Sequence, residues 1–136
     1  MDSTDPDLSK FSANGGKLVI LENLADYAQG PYAGIQYFAS VQEKMGTANT
    51  KKFARLYVAP GVEHMCAGAS SNVDMLSVLV DWVERGKAPE TLEVVEQEVK
   101  APFPVTRALP LCQWPLWPRY KSGPVNLASS FECVNQ

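Results

Sequence analysis

The chemistry this chain could carry starts from its one histidine, His64, in the run Val58-Ala59-Pro60-Gly61-Val62-Glu63-His64-Met65-Cys66-Ala67-Gly68. That run directly follows an aliphatic stretch, and loops at the carboxyl ends of strands are where open α/β sheets gather functional groups. A carboxylate, Asp26, stands in the corresponding place after an earlier aliphatic stretch, in Glu22-Asn23-Leu24-Ala25-Asp26. An Asp held against a His Nδ1–H sets the tautomer and stabilises the imidazolium that forms when the His takes a proton. Asp before His on successive strand ends is the chain order of α/β-hydrolases, in which the nucleophilic Ser comes first. The alternatives are a hydrogen-bonded surface histidine and a turn aspartate. No G-x-S-x-G elbow occurs, and Ser70 and Ser71 read as caps of a following helix rather than nucleophiles.

The elements that must position these residues are legible from hydropathy. Lys17-Leu18-Val19-Ile20-Leu21, after Gly15-Gly16, predicts a strand buried on both faces, and Ala54 to Ala59, stopped by Pro60-Gly61, predicts a second. Between them Ile35, Phe38, Val41 and Met45 repeat at helical spacing over Ala33 to Met45, with Gly46 as the C-terminal cap. Strand, helix, strand is a parallel crossover unit. A further helix has Ser71 or Asn72 as its N-cap, a stripe of Leu76, Leu79, Val80 and Val83 to pack on the same sheet, and Gly86 at its end. Thr91 to Val99 reads as irregular, and prolines 102, 104, 110, 115 and 118 argue against regular structure beyond Ala101. Residues 1–100 are thus expected to form the body and 101–136 an irregular tail packed on it. Aromatic residues among those prolines, Phe103, Trp114, Trp117, Tyr120 and Phe131, are read as anchors of the tail. Two strands would leave both sheet edges bare, so the organisation is that of part of a larger domain.

Composition bounds the partners. The formal charge is -3 and the largest basic cluster is Lys51–Lys52, so neither nucleic acid nor an anionic membrane surface is expected. No apolar run is long enough to cross a bilayer. The N-terminal Met1-Asp2-Ser3-Thr4-Asp5-Pro6-Asp7 is acidic where an export signal is basic and then apolar, so any such signal is expected in a longer precursor or not at all. Three cysteines leave one thiol free, oxidised, or paired outside the chain. A bridge between Cys112 and Cys133 would close a loop of about 20 residues and stabilise the tail by roughly 3 kcal/mol, which points to an oxidising compartment.

Taken together, Asp5-Pro6-Asp7-Leu8, Gly15-Gly16-Lys17-Leu18, Ala25-Asp26, Gln36-Tyr37, Met45-Gly46, Pro60-Gly61, His64, Leu79-Val80-Asp81-Trp82-Val83-Glu84-Arg85-Gly86-Lys87-Ala88-Pro89, Leu109-Pro110-Leu111-Cys112, Arg119-Tyr120 and Phe131-Glu132-Cys133 resemble the C-terminal region of the tannase and feruloyl esterase family. The resemblance covers nearly the whole chain. It implies an α/β-hydrolase fold with an inserted lid and hydrolysis of phenolic carboxylic esters. Asp26 then resembles the triad acid, His64 the general base, and Cys112 and Cys133 a family disulfide. It also implies secretion or a periplasmic location, no cofactor, and no metal, since the family's calcium sites lie in the lid. In two places the chain departs from the family. Met65 separates His64 from Cys66, where the family places Cys directly after the His, and Glu22-Asn23 replaces a His-Gly pair. The expectation is therefore a partial α/β-hydrolase fold, comprising the last parallel strands with flanking helices and a disulfide-stapled tail. It supplies Asp26 and His64 of a serine esterase whose Ser and lid come from upstream sequence, so that alone it is catalytically silent. The alternative is a non-catalytic module that dimerises through its exposed sheet edge.

Overall fold

The computed structural model of the chain describes residues 4–135; the acidic N-terminal run falls partly on residues 1–3, outside the described residues. A short helix, Ser9–Ala13 (α1), leads into the strand Leu18–Asn23 (β1). The helix Ala33–Met45 (α2) and a further turn, Thr47–Thr50 (α3), then return the chain to Ala54–Ala59 (β2). β1 and β2 are parallel and in register from Leu18 opposite Ala54 to Asn23 opposite Ala59. This is the expected crossover unit. Its first strand runs two residues further than the aliphatic pattern indicates, so Glu22 and Asn23 belong to the strand rather than to the loop.

Side chains alternate across a strand, so β2 feeds two cores. Ala54, Leu56 and Val58 pack with Phe38, Val41 and Phe53 beneath α2, while Tyr57 and Ala59 pack on the opposite face with Val62, Val94 and Leu111. β2 is buried at five of its six positions, whereas every residue of β1 is partly exposed. The expectation of burial on both faces therefore holds for β2 and not for β1.

The helix Met75–Arg85 (α4) corrects two readings. Its N-cap is Asp74, whose carboxylate accepts the Ser77 amide at 2.9 Å, and not Ser71 or Asn72. Asn72 is occupied elsewhere: its backbone exchanges hydrogen bonds with Val95, N–H to O 3.2 Å and O to N–H 2.8 Å. The expected stripe does not face the sheet either, since Leu76 is 74% and Val83 58% exposed. The buried residue of α4 is Trp82, with the Lys17 ammonium and the Arg55 guanidinium at 5.4 and 4.8 Å from its ring centre. The helix face that turns inward is thus the one carrying Trp82, whose large ring is buried and met by two cations.

Beyond α4 the chain is not irregular. Leu92–Gln97 (β3) and Val105–Leu111 (β4) form an antiparallel pair, and Trp117–Tyr120 (β5) pairs antiparallel with Phe131–Val134 (β6) after a 3-10 turn at Ala128–Ser130. The prolines that were expected to prevent this fall where they do no harm. Pro102, Pro104 and Pro115 lie between strands, and Pro110 and Pro118 lie in strands with a ladder on one side, where a missing amide hydrogen can be tolerated. After β4 the chain lies along β2: Gln113 bridges Tyr57, and the Trp114 amide donates to the Leu56 carbonyl at 2.9 Å. Trp114 and Trp117, edge to face at 5.9 Å, anchor this segment on the first core, as expected. Phe103 does not act as an anchor; it is 55% exposed. Cys112 and Cys133 form a disulfide that ties the end of β4 to β6.

Candidate active site

The parallel register carries both catalytic candidates to one end of the β1–β2 pair. Asn23 and Ala59 end their strands opposite each other, and pairing continues past them, with the Leu24 amide on the Ala59 carbonyl at 3.1 Å and the Ala25 amide on the Val62 carbonyl at 3.0 Å. Asp26 and His64 follow directly in the two linked loops. Their side chains meet: His64 Nδ1 lies 3.0 Å from Asp26 Oδ2. Asp26 is the more enclosed, 14% exposed against 36% for the imidazole.

Asp26 uses both carboxylate oxygens. Oδ2 takes the imidazole, and Oδ1 accepts the amides of Ala28 and Gln29 at 2.8 and 3.0 Å. The imidazole hydrogen bond, followed by the Gln29 and Ala28 amides, holds the Asp26 carboxyl below its ordinary value of 3.8. An ionised Asp26 therefore faces Nδ1 and selects the tautomer with the proton on that atom. Among the described residues Nε2 has no hydrogen-bond partner, leaving it able to accept a proton. The Tyr27 ring stands 6.1 Å from the imidazole at a tilt of 58°.

Glu22 and Asn23, at the end of β1, have defined roles. The Glu22 carboxylate accepts the Gly34 amide in the first turn of α2 at 3.0 Å, so close that a Cβ at position 34 would fall on its Oε2. Burial, together with the charge of Asp26, raises the Glu22 pKa above 4.5 against the pull of that amide. Asn23 Nδ2 donates to the Glu63 carbonyl at 3.3 Å, linking the two loops. Nothing in the hydropathy pattern marks these contacts; the packing of α2 on β1 makes the first and the register of β1 against β2 the second.

The serines near His64 are engaged elsewhere. The Ser70 hydroxyl is buried and donates to Glu96 Oε1 at 3.1 Å, and the Ser71 hydroxyl donates to the Cys66 carbonyl at 2.7 Å. Cys66 is a free, exposed thiol. Among the described residues no three His, Cys, Asp or Glu side chains gather closely enough to hold a metal ion, and no helix is long and apolar enough to cross a membrane.

This architecture has close counterparts. A crystal structure of an esterase from Aspergillus oryzae superposes with a TM-score of 0.84 at 25% identity, covering 96% of this chain and 29% of that one. The chain is 40% identical to a probable feruloyl esterase of Arthroderma benhamiae, over 96% of its own length and 25% of that protein. It is 34% identical to a mono(2-hydroxyethyl) terephthalate hydrolase of Piscinibacter sakaiensis, over 97% and 22% respectively. The family model described as tannase and feruloyl esterase matches residues 1–134, and the chain belongs to that family. It spans about a quarter of the length of these relatives.

Proposed function

We propose that this chain supplies the acid and base of a Ser-His-Asp triad to a serine carboxylesterase of the α/β-hydrolase fold, the serine and the lid being contributed by upstream sequence of the same protein. The observation that carries the reading is the Asp26–His64 pair at the carboxyl ends of two parallel strands, with the imidazole Nδ1 held and its Nε2 without a partner among the described residues. In acyl transfer, His64 Nε2 takes the proton of the serine hydroxyl as the oxygen attacks the ester carbonyl, then returns it to the leaving alcohol. It next deprotonates the water that hydrolyses the acyl-enzyme. Asp26 keeps the ring in the required tautomer and stabilises the imidazolium at each stage.

The substrates are esters of aromatic carboxylic acids. Support comes from the relatives, two of which are named for feruloyl esters and for a terephthalate monoester. The Cys112–Cys133 disulfide supports a secreted or periplasmic location. The outer edge of β1, unpaired among the described residues, supports a second reading, in which the chain is a non-catalytic module that dimerises there.

A fluorophosphonate probe applied to the full-length protein tests the first reading. The label is expected on a serine upstream of these 136 residues and is expected to vanish with His64→Ala. Labelling of a serine within residues 4–135, or labelling indifferent to His64, overturns it.

A further inference from the structure

We propose that Glu63, the residue before His64, is the positioning residue that holds the imidazole on Asp26, by folding its own loop around its carboxylate and delivering its carbonyl to Asn23. The inference rests on the Asp26–His64 reading and deepens it.

An imidazole that is a third exposed on an irregular loop would sample several orientations unless the loop itself were fixed. Among the described residues the His64 imidazole makes one hydrogen bond, the 3.0 Å bond to Asp26, and that bond cannot set the backbone beneath it. Glu63 does so from three directions. Its Oε1 accepts the amides of Met65 and Ala67 at 2.9 and 3.0 Å, so the carboxylate sits inside the turn that carries His64. Its own amide donates to the Ala67 carbonyl at 2.9 Å, closing the turn, and its carbonyl accepts the Cys66 amide at 2.9 Å. The same carbonyl accepts from Asn23 Nδ2 at 3.3 Å, which ties the turn to the end of β1, three residues before Asp26.

The turn is tight enough to need such a clamp. Cys66 stands at φ 62, a left-handed conformation unfavourable for a residue with a side chain. Gly68 stands at φ 94, where a Cβ would lie 2.5 Å from the Gly61 carbonyl oxygen. A carboxylate accepting two amides offsets that cost with charge-assisted hydrogen bonds. The Met65 amide, directly after His64, is one of the two it takes up. The side chain of Met65 is thereby left 74% exposed instead of being drawn inward.

Because His64 is the only histidine, imidazole 15N–1H NMR of the whole 136-residue chain reports on it alone. At about pH 8 or above, where an ordinary imidazole is neutral, the wild type is expected to show the proton on Nδ1. Glu63→Ala should lose that preference and drift to a mixture dominated by Nε2–H, whereas Glu63→Gln, whose amide oxygen can still accept both amides, should retain it. In the full-length enzyme Glu63→Ala should lower kcat about a hundredfold, the scale of a misplaced catalytic group, with KM nearly unchanged.

An unaltered Nδ1–H tautomer in Glu63→Ala overturns the inference and leaves the Asp26–His64 pair standing. A wild-type tautomer that is already Nε2–H, or one that Asp26→Asn does not change, removes both. Should Glu63→Ala fail to fold, Glu63→Gln and Asn23→Ala decide the matter. Retention in the first with loss in the second supports the positioning role; loss in the first, or retention in both, overturns it.

Discussion

At the scale of the residue, the question is what an ionised Asp26 contributes that its neutral isostere could not. Its Oδ2 faces the imidazole while Oδ1 is occupied by two amides, so an amide nitrogen replacing Oδ2 would present a donor to Nδ1 and invert the tautomer. In the full-length enzyme Asp26→Asn is therefore expected to keep the fold and lower kcat about 10⁴-fold, the loss seen when a triad aspartate is amidated. Steady-state kinetics beside circular dichroism measure the two halves of that expectation. Acid adds an independent check. A carboxyl held below 3.8 in the folded state stabilises the fold while ionised, fully above that value, and the contribution is lost as the pH falls through the lower folded pKa. Urea midpoints of the wild type should thus decline from about pH 4 downward more steeply than those of Asp26→Asn. Equal slopes would mean that the carboxylate is not held as described.

At the scale of the element, β2 and the strands after it determine whether the site has anything rigid to stand on. Tyr57 lies at the centre of β2, fully buried, and donates its hydroxyl to the Glu90 carbonyl at 2.6 Å. Burial, aided by the charge of Glu90, pushes its pKa from 10.0 up to about 12. The neutral phenol is the form the fold favours. Its contribution is present below pH 10 and disappears as the pH rises through 12, because the unfolded chain ionises first. Denaturation midpoints should fall between those values in the wild type and remain flatter in Tyr57→Phe, which gives up the hydrogen bond, worth about 1 kcal/mol, at every pH. The disulfide acts on the next layer out. Cys112 and Cys133 are 21 residues apart, and replacing both with Ser should cost about 3 kcal/mol by urea denaturation. The loss should be felt first in β5 and β6, whose amides should exchange with solvent faster than those of β2. Uniform exchange across β2 and β6 in that variant would show that the bridge holds the whole chain rather than its end.

At the scale of the whole molecule, surfaces that a self-contained enzyme would cover are open. The outer edge of β1 has no neighbour among the described strands, and Leu76, Val80 and Val83 of α4 are exposed together. Chemistry and surface are consistent with each other here, since among the described residues Nε2 of His64 has no hydrogen-bond partner. The 136-residue chain by itself is therefore expected neither to hydrolyse simple aryl esters above the buffer rate nor to react with a fluorophosphonate. Stoichiometric labelling would show that it houses its own nucleophile. Sedimentation velocity on the same sample separates the two readings of the open edge: a concentration-dependent dimer abolished by a charged substitution in β1 favours the stand-alone module, and a monomer favours an edge meant for upstream sequence.

What was legible without coordinates was whatever depends on local periodicity and strand-end position. The crossover from β1 through α2 to β2 follows from two aliphatic runs and one 3.6-residue stripe. The meeting of Asp26 with His64 follows from placing both just past the ends of neighbouring parallel strands. The position of both cysteines in a Pro-rich tail poor in periodic apolar residues also pointed to the Cys112–Cys133 pairing. What escaped was whatever depends on partners distant in the chain. β3 and β4 do not read as strands, because Glu96 interrupts the apolar face set by Leu92 and Val94 and because Pro102, Pro104 and Pro110 surround and enter the second run, yet the two backbones are satisfied by each other and, at Val95, by Asn72. That contact in turn moved the start of α4 to Asp74. On α4 it is Trp82 and not the hydrophobic stripe that turns inward, and Lys17 and Arg55, distant in the chain, reach its ring only after folding. The same limit applied at the site. Residue types and loop position singled out Asp26 and His64, but the grip of Glu63 and Asn23 on the histidine loop is made of backbone amides and carbonyls, which every sequence possesses and only tertiary structure aims.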